Sequence, residues 1–211
     1  MRIDSRSRSS DKERSTRTSR LISLGILASV AAAFAVAPGA QAADEYFLKI
    51  DGVAGESVAG LARDAIQVSE FSWGAESPSA IGGGGTTVGK TTFKDFTIKK
   101  NVDSTSPVLL QKLGQGATLP AIELAVRHVA GTLQPFYMRY CMQPAILVSQ
   151  KQAASSGDAS IQETLVFRFG ASSQRFTRQN AAGQYTTTVI GNWNTMTNST
   201  ALLSGCATSR F

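Results

Sequence analysis

Apolar and polar residues alternate in short runs along most of the chain, and this period-two pattern predicts β-strands. In the run 65–74 the apolar positions change parity at Phe71, which indicates a bulge or a strand covered on both faces. Pro144 divides another run, so it marks a bend or an edge position. The predicted strands span 45–52, 65–74, 91–100, 121–130, 135–142, 145–150, 163–170, 174–179 and 184–193.

One segment, residues 106–114, has the pattern of a helix. Ser106 is suited to cap it, Pro107 fits the first turn, and Gly114 or Gly116 can end it in a left-handed conformation. Its apolar stripe consists of Val108, Leu109, Leu110 and Leu113. Many short strands with one helix predict a mainly β fold, a two-sheet antiparallel barrel or sandwich with one short helix on its flank.

The first 42 residues have the pattern of a secretory signal peptide. Seven basic residues precede the uncharged run 21–37, and Ala40-Gln41-Ala42 supplies the small residues of a cleavage site. The alternative is an uncleaved membrane anchor, but the run has 17 residues, and a span needs about 20. We therefore expect cleavage between Ala42 and Ala43, a β-barrel domain over 43–194 and a tail over 195–211.

Removal of this leader changes the charge of the chain. The whole sequence has 21 basic and 15 acidic residues, whereas the residues from Ala43 onward have 14 and 12, a net charge of +2. A net charge this close to zero gives no electrostatic reason to expect nucleic acid or an anionic membrane as a partner.

Two cysteines, Cys141 and Cys206, follow the cleavage site. In an oxidising compartment they are a candidate disulfide. The alternative is that Cys141 is a small buried apolar residue. Sequence cannot decide between the two, because a disulfide needs Cα atoms within about 7 Å of each other.

A glycine-rich stretch, 75–89, is expected to be a long mobile connection. Its end, Gly84 to Thr91, matches the phosphate-loop pattern G-x-x-x-x-G-K-[ST]. A working phosphate loop opens a helix, whose N-terminal amides hold the phosphate. Here a strand is predicted instead, so we expect no nucleotide and no other cofactor.

The remaining candidates for chemistry have simpler structural explanations. His128 is the sole histidine and shares a strand face with Leu124 and Val126, so we expect a hydrogen-bonded structural residue. The acid pairs Asp51 with Glu56 and Asp64 with Glu70 lie at turns and strand edges, where solvated acids are common. The aromatic residues expected in the core or an interface are Phe71, Trp73, Phe136, Tyr137 and Tyr140. We expect no catalytic residue and no metal site.

Four stretches together resemble the haemolysin-coregulated protein family, which forms the inner tube of the type VI secretion system. They are EYFLKIDGVAGES (45–57), VSEFSWG (68–74), FKDFTIKKNVDSTSPVLLQKL (93–113) and RFTRQNAAGQYTTTVIGNWN (175–194). The resemblance implies a two-sheet β-barrel with one flanking helix, assembly into six-membered rings, and stacking of rings into a tube whose lumen can hold small effector proteins. It implies no catalytic residues.

The resemblance also suggests where copies of the chain meet. The strands around 91–100 and 121–130, with the terminal strands, are expected to supply contacts within a ring. The glycine-rich loop is expected to contact the next ring through Ser77, Pro78, Gly82, Gly83, Gly84, Gly85 and Val88. The leader and the tail depart from the family pattern, which leaves open an alternative role as an exported binding or carrier module outside any contractile injector.

Overall fold

Antiparallel strands make up most of the molecule. The computed structural model describes residues 43–82, 85–129, 135–182, 184–201, 204–206 and 209–211. The predicted signal peptide, 1–42, lies outside the described residues. The single α-helix among them, α1, is Thr105–Gly114, and two short 3-10 helices are Gly60–Ala62 and Ser204–Cys206. The strands are β1 Asp44–Ile50, β2 Ile66–Val68, β3 Glu70–Ser72, β4 Ala75–Glu76, β5 Ser79–Gly82, β6 Gly85–Val88, β7 Thr92–Phe93, β8 Phe96–Asn101, β9 Thr118–Leu119, β10 Ile122–His128, β11 Met138–Ala153, β12 Gln162–Gln179 and β13 Tyr185–Asn194.

The main sheet is nearly closed into a barrel. Its strand order is β2-β1-β10-β11-β12-β8-β3, with β13 paired to β12 and β9 to β11. The two ends of this order, β2 and β3, are separated in sequence only by Ser69, whose N–H donates to the Lys99 carbonyl of β8 at 2.9 Å. The change of parity near Phe71 therefore lies close to Ser69, the residue at which the chain crosses from one end of the strand order to the other. The predicted mainly β fold with one helix is confirmed.

Alternate residues of the strands fill the barrel. Leu48, Ile98, Leu124 and Phe167 are all fully buried in one cluster, which Leu109 of α1 joins from the flank. Full burial of such a side chain contributes about 1.5–3 kcal/mol relative to exposure. The helix is thus held by packing on the barrel, as its short length requires.

The predicted division of residues 135–179 into four strands is wrong, because the structure has two. Residues 138–153 form one strand, β11, because β10 pairs with it as far as Met142 and β9 pairs with it from Ala145. Pro144 lies where the neighbouring strand changes, so its missing N–H costs no ladder hydrogen bond. Residues 162–179 likewise form one strand, β12, and the small residues Ala171 to Ser173 within it pair with β11 and β13.

The start of α1 also differs from the prediction. Ser106 is not the cap: it lies inside the helix, and its side chain is buried. The cap position is Ser104, whose side chain makes no capping bond. Instead Asp103, one residue earlier, accepts the Thr105 N–H through its Oδ1 at 2.9 Å. At the other end Gly116 has φ +60°, the left-handed conformation expected of a helix stop. The apolar stripe is narrower than predicted, since Leu110 is exposed.

The stretch 75–89 is more regular than a long mobile connection. Strands β5 and β6 pair with each other, from Ser79 with Val88 to Gly82 with Gly85. At the base of this hairpin, β4 pairs with β7. Short extended segments on either side of the glycines form this ladder. The sequence did not predict the ladder, because abundant glycine and serine are typical of mobile connections.

Candidate assembly surface

The phosphate-loop pattern has no phosphate-loop structure. Residues after Thr91 form β7 and then β8, so no helix N-terminus follows Lys90. The anion-binding amides and helix dipole on which such a loop depends are therefore not positioned there.

His128 lies in a local polar cluster. Its Nδ1 is 2.8 Å from Asp44 Oδ1, and its ring stacks on Tyr137 with centroids 4.3 Å apart. Tyr137 donates its hydroxyl to the other Asp44 oxygen at 2.8 Å. Burial, and then this hydrogen bond, raise the pKa of Tyr137. The three side chains join β1, β10 and the start of β11.

Three of the four acids that were considered as pairs have other partners. Asp51 pairs with Arg210, Glu70 pairs with Lys99, and Glu56 accepts the Ser104 N–H ahead of α1. Across the described ranges no three His, Cys, Asp or Glu residues are grouped so as to hold a metal ion. None of the helices in the described part of the chain has the length and apolarity of a membrane span.

The clearest unpartnered surface is the edge arm, which we define as residues 171–179 of β12 together with β13. Among the described strands, β13 pairs only with β12. Phe176, Val189 and Ile190 are 45%, 50% and 51% exposed. Because Phe176 lies opposite Val189 in the ladder and Ile190 is the next residue along, apolar side chains occupy both faces of the arm.

A groove runs along each face of the edge arm. One, of about 400 Å³, is lined by apolar residues that include Trp73, Phe93, Phe176 and Val189. The other, of about 450 Å³, combines Phe136 and Ile190 with Arg139 and Arg175. A free strand edge with exposed apolar side chains on both faces is a surface that proteins normally cover.

The predicted contact strands 91–100 and 121–130 correspond mainly to β8 and β10. β8 is between β3 and β12, and β10 is between β1 and β11, so each is paired along both edges. Neither has a free backbone edge to offer a neighbour. Of the strands considered from sequence, the last one, β13, is the one with such an edge.

The residues predicted for ring stacking lie on or beside the β5–β6 hairpin, which forms a two-stranded sheet of its own. Gly83 and Gly84 lie outside the described residues. The base is tied by the Gly89 N–H, which donates to the Pro78 carbonyl at 2.7 Å, and by Ser77 Oγ, which donates to the Gly89 carbonyl at 3.3 Å. A Cβ at Gly89 would lie 2.8 Å from Pro78 Cγ, so a larger residue would displace the proline ring.

A buried ion pair that the sequence analysis missed joins the barrel to α1. Lys100 Nζ is 2.8 Å from Glu163 Oε2 and 2.7 Å from Asp103 Oδ1. The Lys100 and Glu163 side chains have no exposed surface, and the two residues are opposite each other in the β8–β12 ladder. The signal was present in the sequence: Lys100 has the parity of Phe96 and Ile98, and Glu163 that of Leu165 and Phe167.

The tail returns to the barrel. Cys206 is joined to Cys141 of β11 in a disulfide, with the Cα atoms 5.7 Å apart. Arg175 donates to the Cys206 carbonyl, and Arg139 Nη1 donates to Ser209 Oγ at 2.6 Å. The tail thereby covers the outer face of β10 and β11, which explains why the charged residue Glu123 of β10 is only 2% exposed.

Comparison with known proteins identifies relatives of this fold. A family profile described as "Type VI secretion system effector, Hcp" matches residues 47–176. A solved type six secretion system protein is 25% identical, with a TM-score of 0.70 over 74% of this chain and 99% of its own. Hcp1 from Salmonella typhimurium is 23% identical, with a TM-score of 0.61 over 74% and 97%. A type VI secretion system effector from Yersinia pestis is 22% identical, with a TM-score of 0.56 over 71% and 98%. No curated protein sequence matches the chain significantly.

Proposed function

Because its profile match covers residues 47–176, the chain belongs to the Hcp family of type VI secretion system proteins, and from this premise we propose that it is a structural tube protein that assembles into six-membered rings. The observation that carries the proposal is the edge arm, whose free strand edge and exposed apolar residues require a partner. A second copy of the chain, repeated in a closed ring, covers every such edge at once.

Two further features extend the proposal. The β5–β6 hairpin stands apart from the main sheet, so it is available to contact the next ring and allow rings to stack. A stacked tube would have a lumen for a small effector protein. The role is structural rather than enzymatic, with no cofactor, nucleic acid or membrane as partner once the leader is removed.

We also propose that the protein works outside the cell, exported by a signal peptide that is cleaved between Ala42 and Ala43. Mass spectrometry of secreted protein should then find Ala43 as its first residue. Full-length chain in the membrane fraction would instead support an uncleaved anchor.

The leader and the tail favour a second candidate, an exported binding or carrier module that does not belong to an injector. The two functions differ in mass. Size-exclusion chromatography with light scattering on residues 43–211 should give six times the chain mass for the ring. A monomer at every accessible concentration would overturn the ring and leave the binding module.

A further inference from the structure

The face of the main sheet that buries the core is not filled along its whole length. Leu124 of β10 is fully buried there, and Val126, two residues further on, has its side chain on the same face. Across the ladder Val126 lies between Tyr46 of β1 and Met138 of β11, and Met138 lies opposite Phe176 of β12. A small and a flexible side chain thus lie between two large rings, and this row leaves a depression in the sheet face.

The depression is part of a hollow of about 340 Å³, which we call the aromatic hollow. Its volume suits a compact ligand, since the pockets of drug-sized ligands range from about 300 to 1,000 Å³. All of its aromatic side chains keep some exposed surface, so a ligand can reach them. They are Tyr46, Phe71, Tyr137, Tyr140 and Phe176.

The rings meet at steep angles instead of forming one stack. Tyr46 and Phe71 have centroids 5.3 Å apart and planes inclined by 69°, and Phe71 and Tyr140 are 5.3 Å apart at 51°. A further pair, Tyr137 and Phe176, has centroids 6.2 Å apart and planes inclined by 84°. Rings inclined in this way wall a hollow on several sides, which is how aromatic residues enclose an organic cation.

The charge of the hollow comes from Asp44. It is the only charged residue among the described residues that line the hollow. Its carboxylate is held from two sides, since Tyr137 donates to one oxygen at 2.8 Å and His128 Nδ1 is 2.8 Å from the other. Aromatic faces carry the negative part of the ring quadrupole and add to the attraction for a positive charge. The lining therefore complements a cation in charge as well as in shape.

The same contacts indicate the kind of cation. Both Asp44 oxygens already have a hydrogen-bond partner, so a primary ammonium ion, which is strongly hydrated, would find few acceptors to replace its water. A quaternary ammonium ion has no N–H groups to satisfy and presents methyl groups to the rings. An anionic group beside the ammonium would be repelled by Asp44, and the described lining includes no basic residue to offset that repulsion.

We propose that the aromatic hollow binds a small quaternary ammonium ion that has no anionic group of its own, through the ring faces and the charge of Asp44. This goes beyond the structural role proposed above. Phe176 also belongs to the edge arm, so the hollow borders the proposed ring contact and must remain open in the assembled protein. Light scattering reports the ring and calorimetry reports the ligand, so either proposal can fail alone.

The probe is choline, and isothermal titration calorimetry on the full chain measures its binding. The control ligand is the neutral alcohol in which a tert-butyl group replaces the trimethylammonium group, because it has the same shape without the charge. Choline should bind at least about tenfold more tightly than this alcohol. No binding of choline, or equal binding of the two ligands, would overturn the proposal.

Other ligands test the chemical class. Phosphocholine, whose phosphate would approach Asp44, and ethanolamine, whose ammonium carries N–H groups, should each bind at least about fivefold more weakly than choline. Equal or tighter binding of either would contradict the proposed class. Vesicles of phosphatidylcholine present the same phosphate beside the ammonium, so they should not retain the protein, and cosedimentation with them would assign the site to a lipid headgroup instead.

Tyr46→Leu separates the effect of the ring from simple packing. Leucine keeps an apolar side chain at the end of the row but removes the ring, so choline should bind about fivefold more weakly while the neutral alcohol stays within about twofold of its affinity for the wild type. Equal losses for the two ligands would contradict a role of the ring face.

Asp44→Asn should likewise weaken choline binding by about fivefold. Asp95→Asn is the matched control, because Asp95 does not line the hollow and pairs with Arg168 at an exposed position. An equal effect of both substitutions would contradict the assignment of Asp44. The ligand comparisons on the unaltered protein decide the question if a variant fails to fold.

Discussion

At the scale of single residues, the most consequential feature is a pair of charges with no access to water. Lys100 and Glu163 face each other across the β8–β12 ladder inside the barrel. Ser106 joins them, since its hydroxyl is 2.8 Å from Glu163 Oε2 and 3.0 Å from Lys100 Nζ. The network fixes α1 at its first turn, where Asp103 holds both Lys100 and the helix N-terminus.

Lys100→Met should destabilise the protein by about 3–5 kcal/mol, because it leaves the Glu163 carboxylate buried without its cation. Lys99→Met is the matched control: its pair with Glu70 has the same 2.8 Å distance but is about half exposed, so removal should cost about 1 kcal/mol or less. Denaturant unfolding measures both. Similar losses for the two variants would show that Lys100 is not held as described.

The acid limb of the stability curve should depend on Glu163. Burial opposes its ionisation, but hydrogen bonds outweigh that effect and hold the pKa below the ordinary 4.5; they come from Gln152, Lys100, Gln150 and Ser106. The ionised group therefore contributes stability that is present above pH 4.5 and is lost as the pH falls through the folded-state pKa. Glu163→Gln should lack this part of the slope. Unfolding free energies between about pH 3 and 6 test it, and an unchanged slope would contradict it.

At the level of elements, the sequence patterns predicted where most strands lie, but they did not predict where each strand begins and ends. Burial on one face produces period-two alternation, which is why β1, β8 and β10 were found near their observed positions. Pro144 and the small residues 171–173 suggested breaks, because sequence does not show which neighbour pairs with which side of a strand. The contacts of the tail, including Arg210 with Asp51, depend on residues 159 positions apart and leave no local signal.

The disulfide links two such distant elements, β11 and the tail. With a sequence separation of 65, the chain-entropy model gives on the order of 4 kcal/mol of stabilisation. Cys206→Ser should lower the free energy of unfolding by up to this amount. Alkylation of the unreduced protein should label no thiol, and labelling of both cysteines would exclude the bond.

The β5–β6 hairpin should matter between rings and not within one. Deletion of Ser77 to Val88 removes an element that pairs only with itself, so the ring mass by light scattering should stay unchanged. Tubes in electron micrographs should become fewer, because the deletion removes the proposed contact between rings. That contact is expected to be weak, since ordering an extended element on binding leaves little surplus affinity. Loss of the ring itself would place the hairpin between neighbours of one ring.

At the scale of the whole molecule, closure of the sheet through Ser69 leaves few free edges, and the edge arm is the principal one among the described strands. The sequence named the terminal strands among the expected contacts, but it did not show which of the named strands keeps a free edge. The predicted contact strands 91–100 and 121–130 are amphipathic by pattern, but closure of the barrel gives each of them a partner on both sides. Only the fold shows that β13 has a free edge.

Val189→Glu should reduce the ring to smaller species, because it places a charge at the centre of the exposed apolar face of the edge arm. The fold should survive, since Val189 is 50% exposed and such surface changes usually stay within about 0.5 kcal/mol. Val58→Glu, at an 82% exposed position outside the arm, is the control. Light scattering and circular dichroism measure both effects, and an intact Val189→Glu ring would rule out the arm as the contact.

The bond between Cys141 and Cys206 also makes the intervening polypeptide a closed covalent circle. That circle contains most of β11, all of β12 and β13, and the turn that connects the last two. A protease that cleaves once at this turn opens the circle but separates nothing, since both new ends remain attached through sulfur. A single scission anywhere between Cys141 and Cys206 therefore does not release a fragment.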